Sequence, residues 1–212
     1  MEAPEKKLGV PEMFSKLIIA TGNKGKYREF CEIIRDVAGE NFADEIIFAP
    51  EISRMIVDET GKTYTENSML KARAWAERSG LPCLADDSGL EVDALNGAPG
   101  LYSARVVHGD DSDKVSWLLG QLEGVENRRA RFAAALCLCV PEKFTLITEG
   151  YCCGKIADSP RGYDGFGYDP VFLPDGYDLT FAELSGHVKN KISHRTDAFR
   201  KLNAHIKMSP SK

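Results

Sequence analysis

The chain has 212 residues, 43% hydrophobic and 28% charged, enough for one good core or two lobes around a cleft in a soluble globular protein. With 27 basic and 32 acidic residues the net charge is −5, which argues against a binder of nucleic-acid backbones, whose surface is usually basic. No apolar run approaches membrane-spanning length, and Met1-Glu2-Ala3-Pro4-Glu5-Lys6-Lys7 lacks the apolar core of a signal peptide, so a cytoplasmic location is expected.

Residues 1–15 read as a loosely ordered extension before a strand at Leu17–Ala20. That strand runs into Thr21-Gly22-Asn23-Lys24-Gly25-Lys26 and then a helix over Lys26–Val37, with Phe30, Ile33, Ile34 and Val37 on one face. A strand, a glycine turn and a helix start make an anion site: the backbone approaches closely, free N–H groups point outward, and Lys24 and Lys26 add charge. The spacing is not that of a Walker loop, and by itself such a loop is more often an ordinary turn with solvated lysines.

A second strand is expected at Ile46–Ala49. Thr63 and Glu66 then have capping-box spacing, which starts a helix running over Glu66–Ser79 to a C-cap at Gly80. Asp58 and Glu59 fall just outside it, where carboxylates can turn toward a metal. Lys71 follows Asn67 by one helical turn and shares its face.

The densest chemistry is Ala85-Asp86-Asp87-Ser88-Gly89. A short strand, Cys83–Ala85, delivers two adjacent carboxylates to an edge, followed by a small-residue turn. Like charges side by side are costly unless a cation or proton compensates, and Mg²⁺ prefers such hard oxygen ligands. Asp, Ser and Gly also favour plain solvated turns.

Further on, a strand is expected at Val92–Ala94, turn chemistry at Asn96-Gly97-Ala98-Pro99-Gly100, and a helix at Asp113–Leu122. Strands at Ala130–Val140 and Phe144–Tyr151 can pair as a hairpin across Pro141. Asp164-Gly165-Phe166-Gly167-Tyr168-Asp169 alternates aromatics with glycines before a short strand at Val171–Phe172. Such a loop can offer a ring face to a planar base, or its rings can fill core. Lys189-Asn190-Lys191-Ile192-Ser193-His194-Arg195 leads into a helix over His194–Ile206 with Ser193 as N-cap, and residues 208–212 form a tail. A His-Arg pair in a first turn opposes the macrodipole and makes sense beside an anionic or carbonyl-rich ligand. The cysteines Cys31, Cys83, Cys137, Cys139, Cys152 and Cys153 form no C-x-x-C pair and read as reduced. Helices and strands interleave, then β-structure dominates, which predicts an α/β fold with a mixed sheet.

The motifs, in this order and spacing, closely resemble the inosine triphosphate pyrophosphatase (Ham1-like) family from about Leu17 to Leu202. The matching stretches are Thr21 to Lys26, Glu59-Thr60-Gly61, Glu66-Asn67, Leu70-Lys71-Ala72, Ala85 to Gly89, Gly97-Ala98-Pro99-Gly100, Tyr102-Ser103-Ala104-Arg105, Gly165 to Pro170 and Ile192 to Arg195. Ser68 departs from a common alanine. The resemblance implies an elongated mixed sheet flanked by helices, two lobes with the active cleft between them in a single domain over 16–207, and a homodimer. It implies Mg²⁺-dependent hydrolysis of ITP, dITP and XTP to the monophosphate and pyrophosphate, with no nucleic-acid or membrane partner. By resemblance Thr21, Asn23 and Lys26 contact the triphosphate, with Gly22, Lys24 and Gly25 completing the loop, Lys24 where the family varies. Glu59 and Asp87 match metal positions, Asp87 also the general base, and Lys71 a phosphate-contacting lysine. Ser88, Phe166, Gly167, Tyr168, Asp169, Lys189, His194 and Arg195 match substrate-contacting positions. The rivals are a pyrophosphatase for another modified nucleotide, a triphosphate-sensing module without turnover, and a nucleic-acid-binding module using Lys24, Lys26, Lys189 and Lys191.

Overall fold

The computed structural model of the chain describes residues 14–208. Of the expected extension, Phe14 and Ser15 already belong to the first strand; residues 1–13, and 209–212 of the tail, lie outside the described residues. In chain order the elements are β1 (Phe14–Ile19), α1 (Lys24–Ala38), β2 (Ala43–Phe48), a single-turn α2 (Ala49–Ile52), α3 (Tyr64–Ser79), β3 (Cys83–Val92), α4 (Asp111–Gln121), β4 (Arg129–Val140), β5 (Phe144–Ile156), β6 (Phe172–Pro174), α5 (Gly186–Ile192) and α6 (His194–Met208). The strands form one sheet in the order β2-β1-β3-β4-β5-β6. β1 lies parallel to β2 and β3, and the rest is antiparallel, so the sheet is mixed as expected.

The local signals at the helix ends operate largely as read. Asn23 Oδ1 accepts the Lys26 amide to cap α1, and Phe30, Ile33 and Ile34 bury its apolar face. Thr63 Oγ1 accepts the Glu66 amide to start α3, and left-handed Gly80 ends it. The capping box is only half made, because the Glu66 carboxylate takes the Lys62 amide instead. Ser193 Oγ accepts the Thr196 amide at the start of α6.

The main departure is β3. The expected strand of three residues, Cys83–Ala85, delivering the aspartates to an edge before a small-residue turn, is one strand of 10 residues. β4 backs it position by position, from Cys83 opposite Cys139 to Val92 opposite Ala130. That ladder satisfies the backbone of a stretch whose local preference is to turn. The strand expected at Val92–Ala94 is the last residue of β3 followed by a 3₁₀ turn, Asp93–Leu95. Ala49 opens α2 rather than closing β2, and α5 falls where no helix was expected.

The long strands β3, β4 and β5 carry separate cores at their two ends. At one end Leu84, Leu136 and Leu138 pack under α1 and α6 on one face. Cys83, Ala85 and Cys137 pack against Ala72, Trp75 and Ala76 of α3 on the other. At the far end Leu90, Val92, Phe132 and Ile156 pack with Phe172 and Phe181. Asp86-Asp87-Ser88-Gly89 lies between these cores. All six cysteines are free thiols. Among the described residues no helix is long and apolar enough to cross a membrane.

Candidate active site

β1 and β3 are parallel neighbours whose connections diverge: α1 leads from β1 outward to β2, and α3 returns across the other face to β3. Such a reversal opens a crevice at the carboxyl ends of the strands, where α/β folds bind ligands. The β1–β3 ladder covers only Ile18 opposite Cys83 and Ile19 opposite Leu84. Beyond it β1 turns into the Thr21–Asn23 loop, while β3 continues with Asp86, Asp87 and Ser88.

Successive side chains on a strand point to opposite faces. Asp86 and Asp87 therefore do not form one paired site at an edge, as their adjacency suggested. Asp86 belongs to the α1/α6 face and Asp87 to the α3 face, each with its own hydrogen-bonded cations, while the charge of Lys71 acts on both.

On the α1/α6 face, the buried Asp86 accepts from Lys26 Nζ at 3.2 Å and from Arg195 Nε at 3.2 Å. Ser88 Oγ accepts from the same two side chains, at 3.1 Å from Lys26 and 2.8 Å from Arg195. Glu29 of α1 takes Arg195 Nη1 at 2.7 Å and lies 3.7 Å from Lys189 Nζ. Lys189 in turn donates to Asp169 at 2.6 Å, and Asp169 accepts the Phe166 amide at 2.9 Å. Opposite charges thus alternate from the first turn of α1 to the Gly-aromatic loop. Burial pushes the Asp86 carboxyl up, but Lys26, Arg195 and Lys71 outweigh it and hold the group well below the usual carboxylate range.

His194 is different. Its ring is buried, stacks on Phe132 with centroids 4.9 Å apart, and neither ring nitrogen has a hydrogen-bond partner among the described residues. Burial, and then the charges of Arg195 and Lys189, push its pKa well below 6.5, so the ring is neutral. The expected pair of cations in the first turn of α6 is one neutral ring and one arginine already balanced by Glu29 and Asp86. A neutral imidazole keeps one donor and one acceptor, both unspent here. His194 lines a cavity with Lys26, Ser88, Phe132, Phe166 and Arg195. Lys189 Nζ lies 4.9 Å from the centre of the Phe166 ring and the Arg195 guanidinium carbon 5.4 Å.

On the α3 face, Asp87 Oδ2 accepts Asn67 Nδ2 at 3.0 Å, and Oδ1 lies 3.5 Å from Lys71 Nζ. Lys71 also donates to Glu59 Oε1 at 2.7 Å, while Arg105 reaches Glu59 Oε2 at 3.3 Å. Burial raises the Asp87 pKa above the ordinary carboxylate value, and Lys71 and Asn67 only partly oppose this. Burial disfavours charge on Lys71, yet Asp86, Asp87 and Glu59 outweigh it and raise its pKa, so it stays an ammonium. Among the described residues no group of three or more His, Cys, Asp or Glu side chains has metal-binding geometry. Glu59 and Asp87 nevertheless share one ammonium between hard oxygens. That donor pair fits Mg²⁺, which typically takes one or two carboxylates and completes its shell with water and phosphate oxygens.

Two glycines shape the cleft. A Cβ on Gly89 would stand 2.2 Å from the Gly100 carbonyl and 2.6 Å from the Tyr64 hydroxyl, so only glycine lets the Gly97–Ser103 segment cross β3. Gly165 has φ +84°, and a Cβ there would meet the Asp169 carboxylate at 2.1 Å.

The remaining site residues fall as follows. Thr21 Oγ1 and Asn23 Oδ1 accept amides within their own turn, and Gly22 and Lys24 are exposed. Gly25 runs under the Phe166 ring, which a Cβ would meet at 2.9 Å, so the two loops touch. The Gly167 amide donates to Asp111 at 2.6 Å. Tyr168 is a core residue with its hydroxyl on the Ser103 carbonyl, and the Asp169 carboxylate is spent on its own loop and Lys189. Glu29, Asn67 and Asp111 were given no role from sequence. Glu29 carried a signal: it sits beside Phe30 in the apolar stripe of α1, where a carboxylate needs a buried partner.

Fold and site together define an α/β protein whose switch-point cleft offers cations and hard oxygens at one end and an aromatic-lined polar cavity at the other. The chain belongs to the Ham1 family, whose model matches residues 17–205. It is 47% identical to a dITP/XTP pyrophosphatase of Bacillus licheniformis over 195 residues, covering 89% of this chain and 96% of that one. It is 46% identical to a dITP/XTP pyrophosphatase of Aquifex aeolicus, covering 88% and 94%. The solved Ham1 protein of Staphylococcus aureus superposes with a TM-score of 0.78 at 39% identity, covering 91% and 98%.

Proposed function

We propose that the protein hydrolyses deaminated purine nucleoside triphosphates, ITP, dITP and XTP, to the monophosphate and pyrophosphate. The observation that carries this reading is the convergence on β3 of an acid–lysine set on one face and an unsatisfied neutral histidine in an aromatic-lined cavity on the other. The names of the relatives support the same substrate class.

Glu59 and Asp87 hold Mg²⁺, which when bound supplies charge neutralisation at the phosphates. Lys71 and Lys26 secure the triphosphate from opposite faces of β3. Asp87, with its raised pKa, accepts a proton from water as the water oxygen bonds to the α-phosphorus and the bond to the pyrophosphate oxygen breaks. Phe166 stacks the base, and His194 and Arg195 read its edge. A six-oxo purine presents an acceptor where adenine presents an amine, so a donor placed there discriminates by leaving the wrong partner unpaired. Residues 16–207 act as one two-lobed domain in a cytoplasmic homodimer, without nucleic-acid or membrane partners.

The test is pyrophosphate release over ITP, XTP, dITP, GTP and ATP with Mg²⁺, repeated after exhaustive chelation. Preference for ITP, dITP and XTP, lost with the metal, is expected. Equal rates on ATP would overturn the base reading, and full activity after chelation the metal reading.

A further inference from the structure

We propose that Asn67 is a positioning residue for Asp87, fixing one carboxylate oxygen so that the other faces the reaction. The inference rests on the reading of Asp87 as the reacting carboxylate. Asn67 is fully buried on α3, where an asparagine without partners would be costly. Both ends of its amide are engaged. Oδ1 accepts the Gly61 amide at 2.8 Å, and Nδ2 donates to Asp87 Oδ2 at 3.0 Å.

These two bonds determine the orientation. Gly61 offers only a donor, so the Asn67 oxygen must face it, and the NH₂ must then face Asp87. Gly61 is pressed against the helix so closely that a Cβ would stand 2.7 Å from Asn67 Oδ1 and 2.6 Å from Glu66 Cβ. The loop bearing Glu59 is therefore docked on the same amide that holds Asp87. With Oδ2 taken, Asp87 presents Oδ1 toward Lys71, which also donates to Glu59. One side chain thereby sets the spacing of the two carboxylates from behind, without itself facing the cleft.

The test is a double-mutant cycle with Asp87→Asn, read by single-turnover and steady-state hydrolysis of ITP with Mg²⁺, alongside thermal melts. Asn67→Ala, in a folded protein, is expected to lower kcat roughly tenfold to a hundredfold, the usual cost of losing a partner behind a metal-site carboxylate, with KM within about twofold. In the Asp87→Asn background the same substitution is expected to cost less than about twofold, because the group it positions is gone. Asn67→Asp keeps the acceptor for Gly61 but not the donor, so it is expected to lose kcat comparably; it replaces Asn67→Ala should that variant melt early. A KM effect with kcat unchanged would overturn the inference. So would an equal loss with and without Asp87, or full kcat in Asn67→Asp. Wild-type turnover in Asp87→Asn alone would overturn the reading of Asp87 instead, which keeps the two failures apart.

Discussion

The two faces of β3 use adjacent aspartates in opposite ways. Asp86 is locked between Lys26 and Arg195, and its pKa is driven down. Asp87 meets a neutral amide and a more distant ammonium, which do not offset its burial, and burial drives its pKa up. One carboxylate is a fixed counter-ion that holds an arginine in place; the other keeps an oxygen and a proton affinity to use. Adjacency in sequence thus brings two different environments to one crevice, because a strand sends neighbours to opposite sides.

The sharpest way to break this comparison is to neutralise each aspartate in turn. Asp87→Asn is expected to lower turnover by roughly two to four orders of magnitude with little change in melting, read by single-turnover hydrolysis and a melt. Wild-type rates would move the chemistry to the other face. Asp86→Asn is expected to act chiefly on the fold. Removing one partner of a buried ion pair typically costs about 3–5 kcal/mol, and here Lys26 and Arg195 both lose it. Denaturant titration measures this, and an unchanged midpoint would show that Asp86 is no counter-ion.

The two lysines sharpen the contrast further. Lys26 shares Asp86 and Ser88 with Arg195, whereas Lys71 shares Glu59 with Arg105. Both alanine variants are expected to slow hydrolysis. Only Lys26→Ala is expected also to shift the ITP-to-ATP ratio of kcat/KM, by about 1 kcal/mol, the scale of one perturbed hydrogen bond. An equal shift from Lys71→Ala would show that the faces are not separate.

A last contrast concerns pH dependence. His194 stays neutral in the fold, while the unfolded chain takes up its proton near pH 6.5. Below that pH the unfolded state binds the extra proton, so stability falls as pH falls, by about 1.4 kcal/mol per unit. Above it the contribution is flat. His194→Gln is expected to lack this slope, as seen by subtracting its stability curve from that of the wild type between pH 7 and 5.5. Parallel curves would mean that His194 takes up its proton in the fold as readily as in the unfolded chain.

What the sequence determined by itself was local or cumulative. Periodicity placed α1, α3 and α6, cap chemistry at Thr63, Gly80 and Ser193 marked their ends, and motif order pointed to the family. These signals lie within one helical turn, or in a pattern that needs no geometry. Tertiary structure decided what depends on partners distant in the chain. β4 stretched Asp86–Gly89 into strand and so parted the two aspartates. Glu29, 166 residues before Arg195, turned an unfavourable helix start into a balanced one. Burial against Phe132 made His194 neutral, and the Gly61 amide gave Asn67 its direction. Charge state and orientation are set by what surrounds a group, and these surroundings come from strands and helices far apart in the chain.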